Sequence, residues 1–303
     1  MPSWQTMKTM TTTIRKKTAA KMDFAEKYVM ALGIFLAGCL TACSGTGGPP
    51  PVMTSEIDGK EMVLIPAGEF IMGTDKVDTA NTHRKIGTVK PLYVDQHPQR
   101  KIRLPAYYID RYEVTNREYR RFLQATQFDR EPGRWENGVY PEGMGDHPVT
   151  NITWDEALTY ALWAHKRLPT EAQWEKAARG TDGRLFPWGN TPSKKAANVG
   201  VEGARQSRPV GSYPEDVSPY RVYDMAGNVM EWTLDWYRAY PGNEYKDPRF
   251  GTIFKVIRGN GFQKAGHYFL DAYRYAFYRT EGKPEAYFEN VGFRTVTPFI
   301  GEK

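Results

Sequence analysis

Two carboxylates flank a Gly-Asn pair in the stretch Tyr223-Asp224-Met225-Ala226-Gly227-Asn228-Val229-Met230-Glu231-Trp232-Thr233. Asp224 and Glu231, with main-chain oxygens from the turn between them, can supply the hard oxygen ligands that calcium prefers. The spacing is not that of an EF-hand loop. The same residues also suit a tight turn between two strands, with Asp224 bonded to its own backbone. Other reactive side chains are sparse. None of His83, His97, His147, His165 and His267 stands in a His-Glu-x-x-His or comparable ligand spacing. His97 and His147 each precede proline and read as structural hydrogen-bonding residues, and His165 ends a helix, where a cation is favourable. There is no Gly-x-Ser-x-Gly and no phosphate loop. Cys39 and Cys43 are the two cysteines, so nothing after Cys43 can build a disulfide, a thiolate metal site or a cysteine nucleophile.

The elements that must position these residues are short. Three helices are predicted, each opened by a capping box of Thr, two residues, then Glu or Gln. Thr115 with Glu118 leads Tyr119, Phe122 and Leu123 onto one face. Thr153 with Glu156 leads Ala157, Leu158, Ala161 and Leu162, and Thr170 with Gln173 leads Trp174, Ala177 and Ala178, with Gly180 as the stop. Met62 to Gly73 reads as a strand, a Pro-Ala-Gly turn and a second strand, and Arg100 to Asp110 as another strand pair broken at Pro105. Residues 74–92 read as a polar loop. After Gly180 helical period is absent, and Lys255–Gly259 and Gly292–Val296 look like core strands among turn-rich loops. Eight Trp, 19 Tyr, 28 Gly and 21 Pro in 303 residues fit such a fold.

Composition and charge exclude disorder and a nucleic-acid partner. A hydrophobic content of 40% with 14% aromatics argues for a packed core rather than disorder. The net charge of +6 is concentrated upstream. Lys8, Arg15, Lys16, Lys17, Lys21 and Lys27 outweigh Asp23 and Glu26, and the rest of the chain is too nearly balanced to be a nucleic-acid footprint. A basic stretch followed by the apolar run Tyr28–Ala42 has the layout of a secretory leader and is short for a membrane span. Leu36-Ala37-Gly38-Cys39 and Leu40-Thr41-Ala42-Cys43 both resemble the bacterial lipobox. Cys43 is favoured for lipidation over Cys39, because Ser44 to Pro51 then follows as a Gly/Pro-rich tether. The expected organisation is a leader over 1–43, a tether over 44–57 and one domain over 58–298. The expected location is the bacterial envelope, lipid-anchored, with Ser44 pointing to the outer membrane facing the periplasm.

The motifs Ile65–Gly73, Tyr112–Asn116, Pro148–Trp154, Arg167–Gly180, Phe186–Gly189, Tyr223–Thr233, Arg258–Gly261 and Gly292–Arg294, in that order, resemble the formylglycine-generating enzyme (sulfatase-modifying factor, FGE-sulfatase) family across essentially the whole chain after the tether. That resemblance implies an α+β fold, a single FGE-sulfatase domain with little regular secondary structure, related to C-type lectin-like folds. It implies calcium ligands at the Asp224 side chain, the Gly227 and Val229 carbonyls and Glu231. A second calcium site would begin at Asn198 and the Val199 carbonyl, with its remaining ligands in a stretch that is shorter here. Family enzymes oxidise a substrate cysteine through two cysteines that bind copper after an Arg-Gly-Gly-Ser motif. Here Gly259 to Phe269 holds no cysteine, so copper and formylglycine formation are not expected. His267 and Tyr268 fall in that segment as candidate catalytic residues. The resemblance also implies that residues 267–279 line a groove for an extended peptide; on a strand, Tyr273, Tyr275 and Phe277 would share one packed face, leaving Arg274, Tyr278 or Tyr268 turned to the groove. Arg279 matches an arginine closing the segment and can serve as an ion-pair partner. Two functions follow: a non-catalytic binding or scaffold lipoprotein for a peptide or envelope protein, or a periplasmic enzyme using His267, Tyr268 or Glu231.

Overall fold

Among the residues that the computed structural model describes, 51–199, 206–262 and 270–299, elements are short and loops long. In chain order they are β1 (Val52–Thr54), β2 (Glu61–Ile65), β3 (Gly68–Met72), α1 (Thr82–Lys85), β4 (Arg100–Leu104), β5 (Tyr107–Asp110), α2 (Asn116–Thr126), α3 (Trp154–Trp163) and α4 (Glu171–Arg179). They continue with β6 (Met230–Trp236), β7 (Lys255–Arg258), α5 (Asp271–Arg274), β8 (Arg279–Gly282), β9 (Val291–Gly292) and β10 (Val296–Pro298). None of the described helices is long and apolar enough to cross a membrane. The leader and its two cysteines lie outside the described residues.

All three capping boxes form. In each, the Thr side chain accepts from the backbone N–H three residues on, while the Glu or Gln there accepts from the Thr N–H. Two orphan donors at each helix start are thereby satisfied within four residues of sequence. Gly180 ends α4 at φ 71, a conformation that costs a side chain and not glycine.

Strand pairing is less local than the sequence suggests. β2 and β3 are not a hairpin. β2 lies between β1 and β5 in a four-stranded antiparallel sheet of order β1-β2-β5-β10, and β3 pairs only with β4. Nor do β4 and β5 pair across Pro105. The third sheet has order β8-β7-β6-β9, with β6 and β9 parallel. β1 lies within the stretch expected to be tether, so ordered structure starts upstream of residue 58. Gly292–Val296 does not form one core strand: β9 and β10 are separated by the buried Phe293, Arg294 and Thr295.

Two apolar clusters hold the two four-stranded sheets. Tyr119, Phe122 and Tyr160 of α2 and α3 pack with Trp232, Ile257 and Phe293, Tyr119 stacking on Tyr160 at 5.9 Å. Val63, Ile65, Ile109 and Val296 of the first sheet pack on Trp174, Ala177 and Ala178 of α4. α4 therefore sits between sheets, and even its charged residues Glu171, Glu175, Lys176 and Arg179 are buried. Charges so placed must be paired.

Candidate functional site

The Asp224–Glu231 stretch leads into β6 and is not flanked by two strands. Asp224 at φ 59 and Asn228 at φ 65 take the left-handed conformation that short polar side chains tolerate, which coils the chain tightly. Gly227 is needed there, because an added Cβ would lie 2.7 Å from the Asn198 nitrogen. Glu231 emerges from the coil fully buried. Arg294 spans its carboxylate, Nε donating to Oε2 at 2.8 Å and Nη2 to Oε1 at 2.7 Å. Trp174 Nε1 of α4 donates to the same Oε2 at 2.8 Å. The guanidinium also donates to the carbonyls of Asp110, Arg111 and Tyr223 at 3.1, 3.2 and 2.9 Å.

That arrangement does not fit the expected pairing of Asp224 and Glu231 as calcium ligands. Both Glu231 oxygens face N–H donors, and Asp224 Oδ2 accepts from Gly211 N at 2.6 Å. Gly227 and Val229 are buried within the coil. Among the described residues no group of three or more His, Cys, Asp or Glu side chains is placed to hold a metal. Asn198 is different: its Nδ2 donates to Gln206 O at 3.1 Å, while its Oδ1 is buried with no partner among the described residues. That oxygen fits a cation ligand, Val199 follows it buried, and residues 200–205 lie outside the described residues.

Glu113, Asp216 and Asp224 surround the same arginine. Burial and the neighbouring negative charges raise Glu113 and Asp216 well above the usual carboxylate range, and Asp224 to about 6. A carboxyl raised on folding contributes stability that is complete below its unfolded pKa, near ~4, and is lost as pH climbs through the folded value. Melting temperature is therefore expected to fall as pH rises from about 4 through about 6 and above, and to fall less in Glu113→Gln, which removes one such group. Identical slopes in the two proteins would contradict this assignment.

The second assembly is built on α4. Arg258 Nη1 and Nη2 reach Glu171 Oε1 at 3.1 Å and Glu175 Oε2 at 2.8 Å, and donate to the Phe277 and Ala276 carbonyls at 3.1 and 2.8 Å. Arg279 stands 2.8 Å from Glu171 Oε1, and its Nη1 donates to the carbonyls of Asp95 and Arg238 at 3.1 and 2.9 Å. Arg279 is thus the ion-pair partner that its motif position suggests. Together the two arginines pin the 276–279 segment to the helix and the 88–96 segment to both.

Between these segments and residues 245–249 lies a cavity of about 640 Å³. Tyr93, Tyr245, Tyr273 and Tyr278 line it with Pro91 and Leu92. Tyr93 stacks on Tyr275 at 6.1 Å, and Tyr273 meets Tyr278 edge-on at 5.0 Å. The charges on the walls are paired internally, Lys90 with Asp95 at 3.0 Å and Arg249 with Asp247 at 2.6 Å. The groove is therefore walled by tyrosine rings.

Of the groove residues expected from the sequence, Tyr278 is on the wall. Arg274 faces the other way. Its guanidinium is buried, donates to Ser193 O, pairs with Asp271 and lies 5.7 Å from the Phe186 ring centre. The physical reason is that residues 271–274 form a helical turn rather than a strand, so two-residue alternation does not apply. Phe277 is fully buried while Tyr273 and Tyr275 are partly exposed. His267 and Tyr268 lie outside the described residues. Tyr93, Lys90 and Tyr245 escaped the sequence reading because their chemistry arises from distant loops. His147 Nδ1 is 3.0 Å from Ser207 Oγ, and His97 Nδ1 is 3.1 Å from Thr74 O, both structural contacts.

Residues 50–298 match the Sulfatase-modifying factor enzyme 1-like domain family. The chain belongs to that family. It is 32% identical over 296 residues to the formylglycine-generating enzyme of Thermomonospora curvata, covering 78% of this chain and 92% of that one. It is 34% identical over 260 residues to hercynine oxygenase of Mycolicibacterium smegmatis, covering 73% of this chain and 58% of that one. Its fold is similar to that of PvdO from Pseudomonas aeruginosa, with a TM-score of 0.64 and 26% identity over 84% of this chain and 100% of the other. The expected α+β class, with few regular elements and a relation to C-type lectin-like folds, is the one found for this sulfatase-modifying factor domain.

Proposed function

We propose that this sulfatase-modifying factor domain is a binding module of the bacterial envelope, anchored through a lipid on Cys43, whose tyrosine groove captures an extended peptide or a segment of an envelope protein. Formylglycine formation, which the family resemblance ties to two cysteines, lacks them here. Copper(I) is held by soft thiolates, and no cysteine follows Cys43. The observation that carries the reading is the groove itself. Four tyrosines line it, and Tyr93 is held at φ 71, a left-handed conformation unfavourable for a bulky residue. Such strain persists where surrounding structure enforces it, and it collects at ligand sites. Burial pushes the Tyr93 phenol up to about 12, so it stays a neutral hydrogen-bonding group at any physiological pH. Tyrosine is also a preferred anchor of binding hot spots, through a rigid apolar ring and a polar tip.

The test is capture from native membranes with the full-length lipoprotein. Tyr245→Ala with Tyr278→Ala is expected to weaken partner capture about tenfold or more while shifting the melting temperature by only a few degrees. Arg274→Ala is expected to lower the melting temperature instead, since its guanidinium is buried. Cys43→Ser should release the protein from the membrane fraction. Undiminished capture by the folded double variant would move the site off the groove.

A further inference from the structure

A second cavity of about 520 Å³ shares Pro91, Leu92 and Tyr245 with the groove, and is also lined by Asp78, His83 and Arg84. Asp78 Oδ2 is 2.7 Å from His83 Nδ1, and these two side chains are 4% and 9% exposed. The Asp78 carboxylate also accepts the backbone N–H groups of Thr82 at 2.8 Å and His83 at 2.9 Å. Burial alone would raise this carboxyl, but the hydrogen bonds outweigh it and hold it well below the usual range. An ionised Asp78 accepts and cannot donate, so Nδ1 carries the proton. In the neutral imidazole the lone pair is then on Nε2, which makes no hydrogen bond among the described residues.

An imidazole fixed in this tautomer by a carboxylate is the arrangement of an oriented general base. Capping α1 explains the two backbone contacts of Asp78. It does not require the third, which orients a ring on the wall of a cavity. Arg84 and Lys76 line the same cavity, together with Glu244, so it offers cationic groups to a ligand that develops negative charge.

We propose that Asp78 and His83 form a general-base pair that acts, through water, on a small acyl ester held in this cavity. A water O–H proton passes to His83 Nε2 as the water oxygen bonds to the ester carbonyl carbon. The imidazolium so formed is stabilised by Asp78. The carbon–oxygen bond to the alcohol then breaks, and the alcohol oxygen takes the proton back from Nε2. The products are a carboxylic acid and an alcohol, water is the co-reactant, and no electrons are exchanged with the protein. His83 is the catalytic residue and Asp78 its positioning residue.

The experiment follows release of nitrophenol from 4-nitrophenyl acetate by the full chain. His83→Gln is expected to lose about tenfold or more of the rate above background, while His165→Gln, an exposed histidine beyond α3, retains it. Asp78→Asn is expected to lower the rate and move the midpoint of its pH profile, which a merely structural role would not do. Partner capture by His83→Gln should be unchanged, so this site and the binding reading can fail separately. Equal rates in wild type and His83→Gln, or equal losses in the His83 and His165 variants, would overturn the proposal. If His83→Gln does not fold, stepwise carbethoxylation of the wild type with peptide mapping decides. Loss of rate in step with modification of His83 supports the assignment, and loss in step with another residue refutes it.

Discussion

Arg294→Ala is expected to destabilise the domain by about 3–5 kcal/mol, the range for removing one partner of a buried ion pair. For a domain of this size that is a fall of roughly 10 °C or more in melting temperature. Arg294 is fully buried and its fork spans Glu231, while its remaining N–H groups hold the carbonyls of Asp110, Arg111 and Tyr223. Removing it leaves Glu231 unpaired beside Glu113, Asp216 and Asp224, which burial and mutual repulsion already disfavour as anions. Arg294→Lys keeps the charge but not the two parallel hydrogen bonds, so it should recover only part of the loss. Glu231→Gln combined with Arg294→Met removes both charges and should be milder than Arg294→Ala alone. Thermal unfolding of the four proteins checks the order. A double variant worse than the single one would mean the pair is not the coupled unit described.

Arg279→Met is the second large effect, and it should strike stability and binding together. The guanidinium is 1% exposed, pairs with Glu171 and lies over the Tyr237 and Tyr240 rings at 4.7 and 4.5 Å. Its bonds to the carbonyls of Asp95 and Arg238 join one groove wall to the segment that carries the other. Methionine matches much of the volume and none of the bonding. Glu171 would keep Arg258, 3.1 Å away, so about 3 kcal/mol is expected rather than unfolding outright. Partner capture should fall by more than the fraction unfolded explains, because the walls are no longer tied. A stable variant with intact capture would show that the groove is held by other contacts.

The helices were legible because their signals are local. Thr115-x-x-Glu118, Thr153-x-x-Glu156 and Thr170-x-x-Gln173 satisfy their own orphan donors, and nothing distant needs to agree. The strands were legible one by one but not in their pairing. β2 and β3 are joined by two residues and yet belong to different sheets, since Val63 and Ile65 pack on α4 while Phe70 and Met72 face another cluster with Tyr240. The family motifs marked Glu231 and Arg294 as important without showing that they bind each other across 63 positions. The stretch around Tyr273 misled for a simpler reason. Aromatic alternation suits a strand, but the buried Arg274 and the turn at 271–274 set the side-chain directions instead. The Asp78–His83 pair gave little warning in a loop read as polar filler, apart from an acidic residue four positions before the first residue of a helical turn.

Photo-crosslinking in cells producing the protein tests the binding assignment most directly. A photoreactive residue at Thr88 on the groove wall and another at Leu162 on α3, which is 38% exposed and outside the groove, provide the comparison. The groove reading predicts a discrete crosslinked protein or peptide from position 88, absent from position 162 and abolished by Tyr245→Ala with Tyr278→Ala. Crosslinks from position 162 alone, or a position-88 product that survives in the double variant, would contradict it.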